Sequence, residues 1–587
     1  MKSMHGTNST AHHLLHLCRL CFRCCPHSDQ SLMASATAAA TRVVKRSANL
    51  TTINTVGLSY YKSSPLMLPD LLAAGAASGL ATRLRKLTGI AVEAAYVPQQ
   101  LQALRQCTSL THLDIRGSGL WSYLGQSGQQ AAEELTAALQ GLPSLTRLHV
   151  VGYETYSDSC MTRLASALQP LTQLQHLHLA EHNTGVAALA ALVPALSAMP
   201  ALQTLVVSGN NPVVDETAGR AEALCALLSV APRLTHLDVG SNTLHNEGAA
   251  LLAPALRGMT CLQHLNLSYN KVGSRGLAAL APALAALPNL HTLDLSGCDL
   301  HGEFASLLQP LLAKAGSPLR KLALCKTIFG WDDAQALAAG LSTAPQLQEL
   351  NVQGISFRVD QEKGWMALAP GLSSLGPSLQ SLSLGVYNQR KSVAASTALA
   401  AALQPLTGLT RLEATSLFPS ATVVAISPAL MGMRRLQVLN LYGNNLSAEG
   451  TAAIAEVLPA LSVSLTHLTL SHCNIDAEAA ASALAPALAQ AIGLVELHLR
   501  YNPFGPQGGQ WLPPVLTALP HLRKVDLGSC GWMQAAAWPS HVPSRTGTAC
   551  LCYWTGMASP MTAQQAKRCA LCQAIMSLCS CDTVLVY

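Results

Sequence analysis

Charge and aromatic rings are both scarce in this chain: 11% of its residues are charged and 4% aromatic, where a soluble domain ordinarily carries about a quarter charged residues. Low charge combined with a hydrophobic half excludes disorder over most of the length, because such a composition buries enough apolar surface to offset chain entropy. The 36 Lys and Arg nearly balance the 30 Asp and Glu, leaving a formal charge of +6, so no nucleic-acid partner is implied. No run of about 18 apolar residues is free of an interrupting Pro or polar side chain, so no membrane span is expected, although mean hydropathy is positive at +0.28. Also missing are a phosphate-binding loop, a dinucleotide fingerprint, a nucleophile elbow, a zinc-protease helix and a calcium loop. We therefore expect no catalytic residues, no cofactor and no dedicated metal site.

What the sequence does contain is a repeat. The spacing Leu234, Leu237, Val239, Asn242, Leu244 returns as Leu262, Leu265, Leu267, Asn270, Val272, and again as Leu290, Leu293, Leu295, Cys298, Leu300. Its first leucine can be followed from Leu110 to Leu522 through fifteen copies, a mean step of (522 − 110)/14, about 29 residues. Residues one, four and six of each copy are apolar and turn inward, while residues three and five, mostly polar, face out, the period-2 pattern of a short strand with one buried face. One such strand cannot bury that face alone, so successive copies must stack into a parallel sheet with the rest of each repeat as crossover. The ninth position, at Asn210, Asn242, Asn270, Asn444 and Asn502, is where the chain leaves the strand. A buried amide there satisfies turn backbone groups, and Cys298, Cys473 and Cys530 occupy the same structural slot.

These residues resemble the leucine-rich-repeat family, and the step is similar to its ribonuclease-inhibitor-like branch, found in NOD-like receptor repeat regions and Ran GTPase-activating proteins. The resemblance implies an α/β solenoid, a curved horseshoe with its parallel sheet on the concave face and helices on the convex face. Alanine-rich stretches after each turn favour helix. A Pro falls eight residues before the next motif leucine at Pro194, Pro254, Pro282, Pro428, Pro486 and Pro514, which predicts a kink or a split into two short helices. A second set, Pro143, Pro200, Pro232, Pro288, Pro345 and Pro520, marks the helix exits.

Residues 107–545 are read as the repeat array and residues 60–106 as a helical cap or degenerate repeat. Residues 1–59 read as a basic leader, disordered or targeting. Its first fifty residues hold six Lys or Arg against the single acid Asp29, a balance shared by organelle-import peptides. Residues 546–587 are a cysteine-rich tail; with Cys550, Cys552, Cys569, Cys572, Cys579 and Cys581, it could supply thiolates to a zinc ion, though the spacing matches no standard module. The cysteines elsewhere are mostly single and separated, as in a reducing compartment.

The outward positions three, five, seven and eight carry eight acids and seven Lys or Arg over fifteen copies, too balanced a face for a polyanion and large enough for a protein. On it Tyr269, Tyr442 and Tyr501 are the expected partner anchors, accompanied by Asp238, Asp294, Arg411 and Arg500. Nine histidines share the face, with His149 beside His178 and His236 beside His264; imidazole both ligates and titrates near neutrality, so a metal site at His149, His176 and His178 or a pH-dependent interface is chemically open, and copying of one ancestral repeat leaves the same pattern. The expected function is a scaffold or adaptor binding a protein partner, placed in the cytoplasm. A small GTPase served by a Ran-type activator, and a cytoskeletal or ciliary axoneme component, are the alternatives.

Overall fold

The computed structural model describes residues 51–54, 79–91, 97–116, 128–151, 158–180, 185–209, 217–299, 317–357, 360–386, 392–505, 508–531 and 551–553, with isolated positions between 68 and 76 and at 311–312. The chain divides into two units, residues 1–293 and 294–587. Each is an α/β solenoid in which parallel strands alternate with helices.

In the first unit the strands Thr52–Asn54, Lys86–Ala91, His112–Arg116, Arg147–Val151, His176–Ala180, Thr204–Val206, His236–Asp238 and His264–Asn266 pair in sequence order, all parallel. Their fourth motif residues fall in one register column, Leu113, Leu148, Leu177, Leu205, Leu237 and Leu265, every one at most 2% exposed. Parallel pairing begins before the first motif copy, with Ile53 opposite Leu87. One register shift follows, between Leu87 and Ile90, where an extra residue breaks the spacing that the eye follows from Leu110 onward. The helices Gly128–Gln140, Asp158–Leu168, Val186–Ser197, Thr217–Val230, His245–Arg257 and Ser274–Ala286 cover the buried side of the sheet.

The second unit repeats the plan with strands Lys321–Ala323, Glu349–Gln353, Ser381–Gly385, Arg411–Thr415, Val438–Asn440, His467–Thr469, Glu496–His498, Lys524–Asp526 and Leu551–Tyr553. A two-stranded side ladder, Ile328–Phe329 with Ser356–Phe357, brings Phe329, Phe357 and Trp365 into ring contact at 6.2 and 5.7 Å. Packing here leaves no room for a Cβ at two glycines. One added at Gly364 would stand 2.2 Å from the Phe357 ring, and one at Gly371 would stand 2.3 Å from the Ala338 backbone of the preceding helix. Gly371 sets how closely helices Trp331–Ser342 and Gln361–Ser374 approach, and Gly364 how closely the second lies on the Phe357 ring.

The prolines correct the sequence expectation. Helices Val186–Ser197, His245–Arg257, Ser274–Ala286 and Ser420–Gly432 run unbroken through Pro194, Pro254, Pro282 and Pro428. The reason lies in their facing: all four prolines are exposed, and so are Ala190, Ala250 and Val424, four residues before three of them. A proline deprives the carbonyl four residues back of its donor; on the outer ridge of the helix water replaces that donor. Of the other two prolines in this set, Pro514 likewise lies inside the helix Gly508–Ala518, whereas Pro486 coincides with a change of helix type, following the π-helical turn Ala480–Leu484 at the start of Ala485–Gln490. The second proline set does stand at helix exits, as with Pro232 after Val230 and Pro345 after Ser342.

Candidate interaction surfaces

The turn after each strand is held by the ninth motif residue. Asn502 donates from Nδ2 to the carbonyls of Leu470 and Leu499 and accepts at Oδ1 from the N–H groups of Cys473 and Ile475, at 2.8 to 3.1 Å. Asn444 serves Ala414, Leu441, Leu417 and Phe418 in the same way. Asn242 and Asn270 reach Val207 and Val239 of the repeats before them. All four side chains are at most 1% exposed. Cys473 and Cys530 perform the donor half only, their thiols pointing to Leu441 O and Leu499 O, and Cys298 is likewise buried. Thr327, a residue that does not read as the motif, fills the slot in its own copy and donates to Leu324 O at 2.6 Å. Asn210 lies outside the described residues, as does the cysteine-rich tail except for the strand Leu551–Tyr553.

The fifth motif position has a role that sequence reading missed. At Asp238, Asn266, Asp294, Asn351, Asn440 and Asp526 the side-chain oxygen accepts the N–H two residues on, between 2.8 and 3.1 Å. This gives the backbone a local partner, and in all of these copies but that of Asn351 the strand stops at the residue itself. Asp238 and Asp294, expected as partner contacts, thus each commit one oxygen to the turn.

Just beyond, the eighth position is left-handed in copy after copy: Gly209, Ser241, Tyr269, Gly297, Lys326, Gly354, Ser416, Gly443, His472, Tyr501 and Ser529 all have φ between 52° and 74°. Glycine adopts this conformation at no steric cost; a side chain that does so stores strain of about 1–3 kcal/mol. Tyr269 and Tyr501 place bulky rings there and leave them 44% and 45% exposed.

In the second unit the structure gathers three of the expected residues into one row. Tyr442 (41% exposed) meets His472 edge-on at 5.8 Å, and His472 meets Tyr501 at 5.7 Å. Arg500 lies over the Tyr501 ring at 4.5 Å and donates to its hydroxyl at 2.9 Å. The loop backbones beneath are laced together, His472 N to Arg500 O at 2.8 Å and Tyr501 N to Gly528 O at 2.9 Å, so the row sits on a firm edge. Tyr269 belongs to the first unit and stands apart from this row in the sequence of repeats. Arg411 pairs with Glu413 on its own strand. Glu496 is ringed by Lys524 at 2.9 Å, His498 at 3.3 Å and His467 at 3.7 Å. Burial works to raise the Glu496 carboxyl, but hydrogen bonds from Lys524 and His498 and the nearby positive charges outweigh it and hold the group below its ordinary range; Asp526, bonded to His498 and Gly528 N, is held down likewise.

The sheet face of the first unit is dominated by histidine. His149 and His178 contact at 3.9 Å between ring centroids, and His236 and His264 stack at 4.0 Å. The rings lie side by side, and among the described residues no three His, Cys, Asp or Glu are placed to hold a metal ion. Asp114 stands 3.6 Å from His149.

A leucine-rich-repeat family model matches residues 232–253, 258–281 and 462–482, and a second such model matches 289–311. These matches agree with the registered leucine columns and the buried asparagine turns. The chain carries leucine-rich repeats. No curated protein matches it. Among solved structures, an internalin (inlF) from Listeria monocytogenes is 19% identical, covering 62% of this chain and 88% of its own, with a TM-score of 0.35. A TLR13–ssRNA13 complex is 15% identical over 73% of this chain and 66% of its own, with a TM-score of 0.33. No described helix of this leucine-rich-repeat chain is long and apolar enough to cross a membrane.

Proposed function

We propose that this protein is a non-catalytic leucine-rich-repeat scaffold that docks a protein partner on the Tyr442–His472–Tyr501 row and the adjoining Arg500. The observation that supports this reading is a row of three contacting rings whose two tyrosines remain more than 40% exposed. One of those tyrosines sits on left-handed backbone that other copies give to glycine. Exposed tyrosine beside arginine is the pairing of residue types enriched among the hot spots of protein interfaces.

The test is quantitative capture with the full chain and with a Tyr442→Ala, Tyr501→Ala double variant of unchanged circular dichroism. A partner whose recovery falls at least about tenfold with the variant supports the row; equal recovery of every captured protein by both baits removes it. The alternative reading, that the partner is a Ran-type GTPase stimulated by this chain, is separated by a GTP-turnover assay. The scaffold reading expects turnover unchanged at micromolar protein.

A further inference from the structure

Strand register in the first unit sorts the face into two columns of opposite character. The third motif positions align as Lys86, His112, Arg147, His176, Thr204, His236 and His264. No carboxylate interrupts them. The fifth positions align as Asp114, His149, His178, Val206, Asp238 and Asn266, and hold both of the described acids on this face. Adjacent rungs are about 4.8 Å apart. The imidazoles of the first column are anchored by threonine hydroxyls at Nδ1: His112 to Thr111 at 2.7 Å, His176 to Thr204 at 2.9 Å, His236 to Thr235 at 2.8 Å and His264 to Thr292 at 2.9 Å. The rings are therefore held in place and do not sweep through solvent.

Counting charges along the third-position column gives two, Lys86 and Arg147, when the histidines are neutral, and six when His112, His176, His236 and His264 are protonated. Histidine makes that change within the physiological range. Facing these four from the neighbouring column are Asp114 and Asp238, with His149 and His178 between them; Asp114 is 3.6 Å from His149, and Asp238 gives one oxygen to the Gly240 N–H.

We infer that this column is a proton-gated docking strip for an acidic segment of a protein chain, engaged by its Asp and Glu carboxylates. A carboxylate laid on the column neutralises rungs that otherwise repel one another, so binding and proton uptake reinforce each other and affinity rises as pH falls. Burial and the cations Arg147 and Lys86 keep His112 below its ordinary range, and burial with Arg147, His236 and His112 does the same for His176. His236 is lowered by burial. An anion over them offsets the repulsion from Arg147 and Lys86 and favours the protonated rings. An acidic peptide is favoured over nucleic acid because these two columns carry only two permanent cations, Lys86 and Arg147, against two acids, Asp114 and Asp238, which offers no standing track for a continuous phosphate chain.

The experiment uses the full chain and a fluorescein-labelled decaglutamate peptide, whose carboxylates stay ionised to about pH 5.5. Anisotropy is followed between about pH 7.5 and 5.5 at constant ionic strength. Affinity is expected to rise at least about tenfold on acidification, with net proton uptake by calorimetry in two buffers of different ionisation enthalpy. A His112→Gln, His176→Gln, His236→Gln, His264→Gln variant, checked for intact circular dichroism, should lose the rise. A second variant, Arg147→Gln, should weaken binding at both pH values while retaining the pH response. Affinity that does not change with pH, or a pH response that survives the quadruple substitution, overturns the inference. Oligouridylate of equal charge that binds better than the peptide at about pH 5.5 overturns the choice of an acidic protein segment.

Discussion

At the scale of single residues, the ninth motif position holds the turn and the eighth carries a tyrosine of the proposed docking row. Asn502 holds four buried backbone groups, and each hydrogen bond of this kind is worth about 1 kcal/mol, more when its partner is left orphaned. Asn502→Ala should therefore destabilise the second unit by about 3–5 kcal/mol, read by urea denaturation. Asn502→Cys should cost less, because Cys473 and Cys530 show that a thiol supplies the donor half. Tyr501→Gly should behave oppositely. Relief of the left-handed strain offsets the loss of ring contacts, so stability should change by less than about 1 kcal/mol while partner recovery drops. A loss of several kcal/mol in that variant would show the ring to be structural and would count against the docking row.

The same two positions show how far the sequence could be read. Asparagine at Asn242, Asn270, Asn444 and Asn502 announced the turn, because a buried amide in a recurring slot has few other uses. Thr327 was invisible, since a threonine in that place reads as a lost motif until its hydroxyl is seen to reach Leu324 O. Left-handed backbone at the eighth position was legible only in part: Gly209, Gly297, Gly354 and Gly443 recur there, but the strain on Tyr269 and Tyr501 emerges only when their dihedral angles are set beside those glycines. Which tyrosines share a row follows from adjacency of copies, whereas the contact through His472 depends on side-chain directions that spacing does not encode.

At the scale of elements, the prolines matter most. A chain that places proline in the third or fourth turn of so many helices looks, as a sequence, like one that breaks them. Because Pro254 and the Ala250 position before it are both exposed, the helix His245–Arg257 retains its course and forfeits only a hydrogen bond that water replaces. Pro254→Ala should then stabilise the protein by about 1–2 kcal/mol, the helix-propensity gain less the freedom restored to the unfolded chain. A lower thermal midpoint for this variant would mean that proline is required by the helix path. Gly371 sets the opposite limit. A Cβ there meets the Ala338 backbone at 2.3 Å, and backbone cannot rotate away, so the two helices would have to part.

At the scale of the whole molecule, acid should act in two stages. His112, His176 and His236 are lowered in the folded state, so the unfolded chain binds protons more readily as pH drops through the ordinary histidine range, and stability falls there. Glu496 and Asp526 are depressed acids; their contribution is full above the unfolded carboxyl value and is lost as pH falls through the folded one. The thermal midpoint should decline first between about pH 7 and 5 and again below about 4. His112→Gln, His176→Gln, His236→Gln should erase the first decline and leave the second. A single decline confined to the carboxylate range in the parent chain would contradict this order.

Six of the asparagine and cysteine slots reach backward along the chain: Asn242 to Val207, Asn270 to Val239, Asn444 to Ala414, Cys473 to Leu441, Asn502 to Leu470 and Cys530 to Leu499. A repeat's own turn is thus completed by the repeat that follows it. On the ribosome this imposes a delay, because a newly emerged repeat cannot close its turn until about one further repeat, roughly 29 residues, has cleared the exit tunnel. While repeats are still being added, the growing end therefore always carries one unfinished turn.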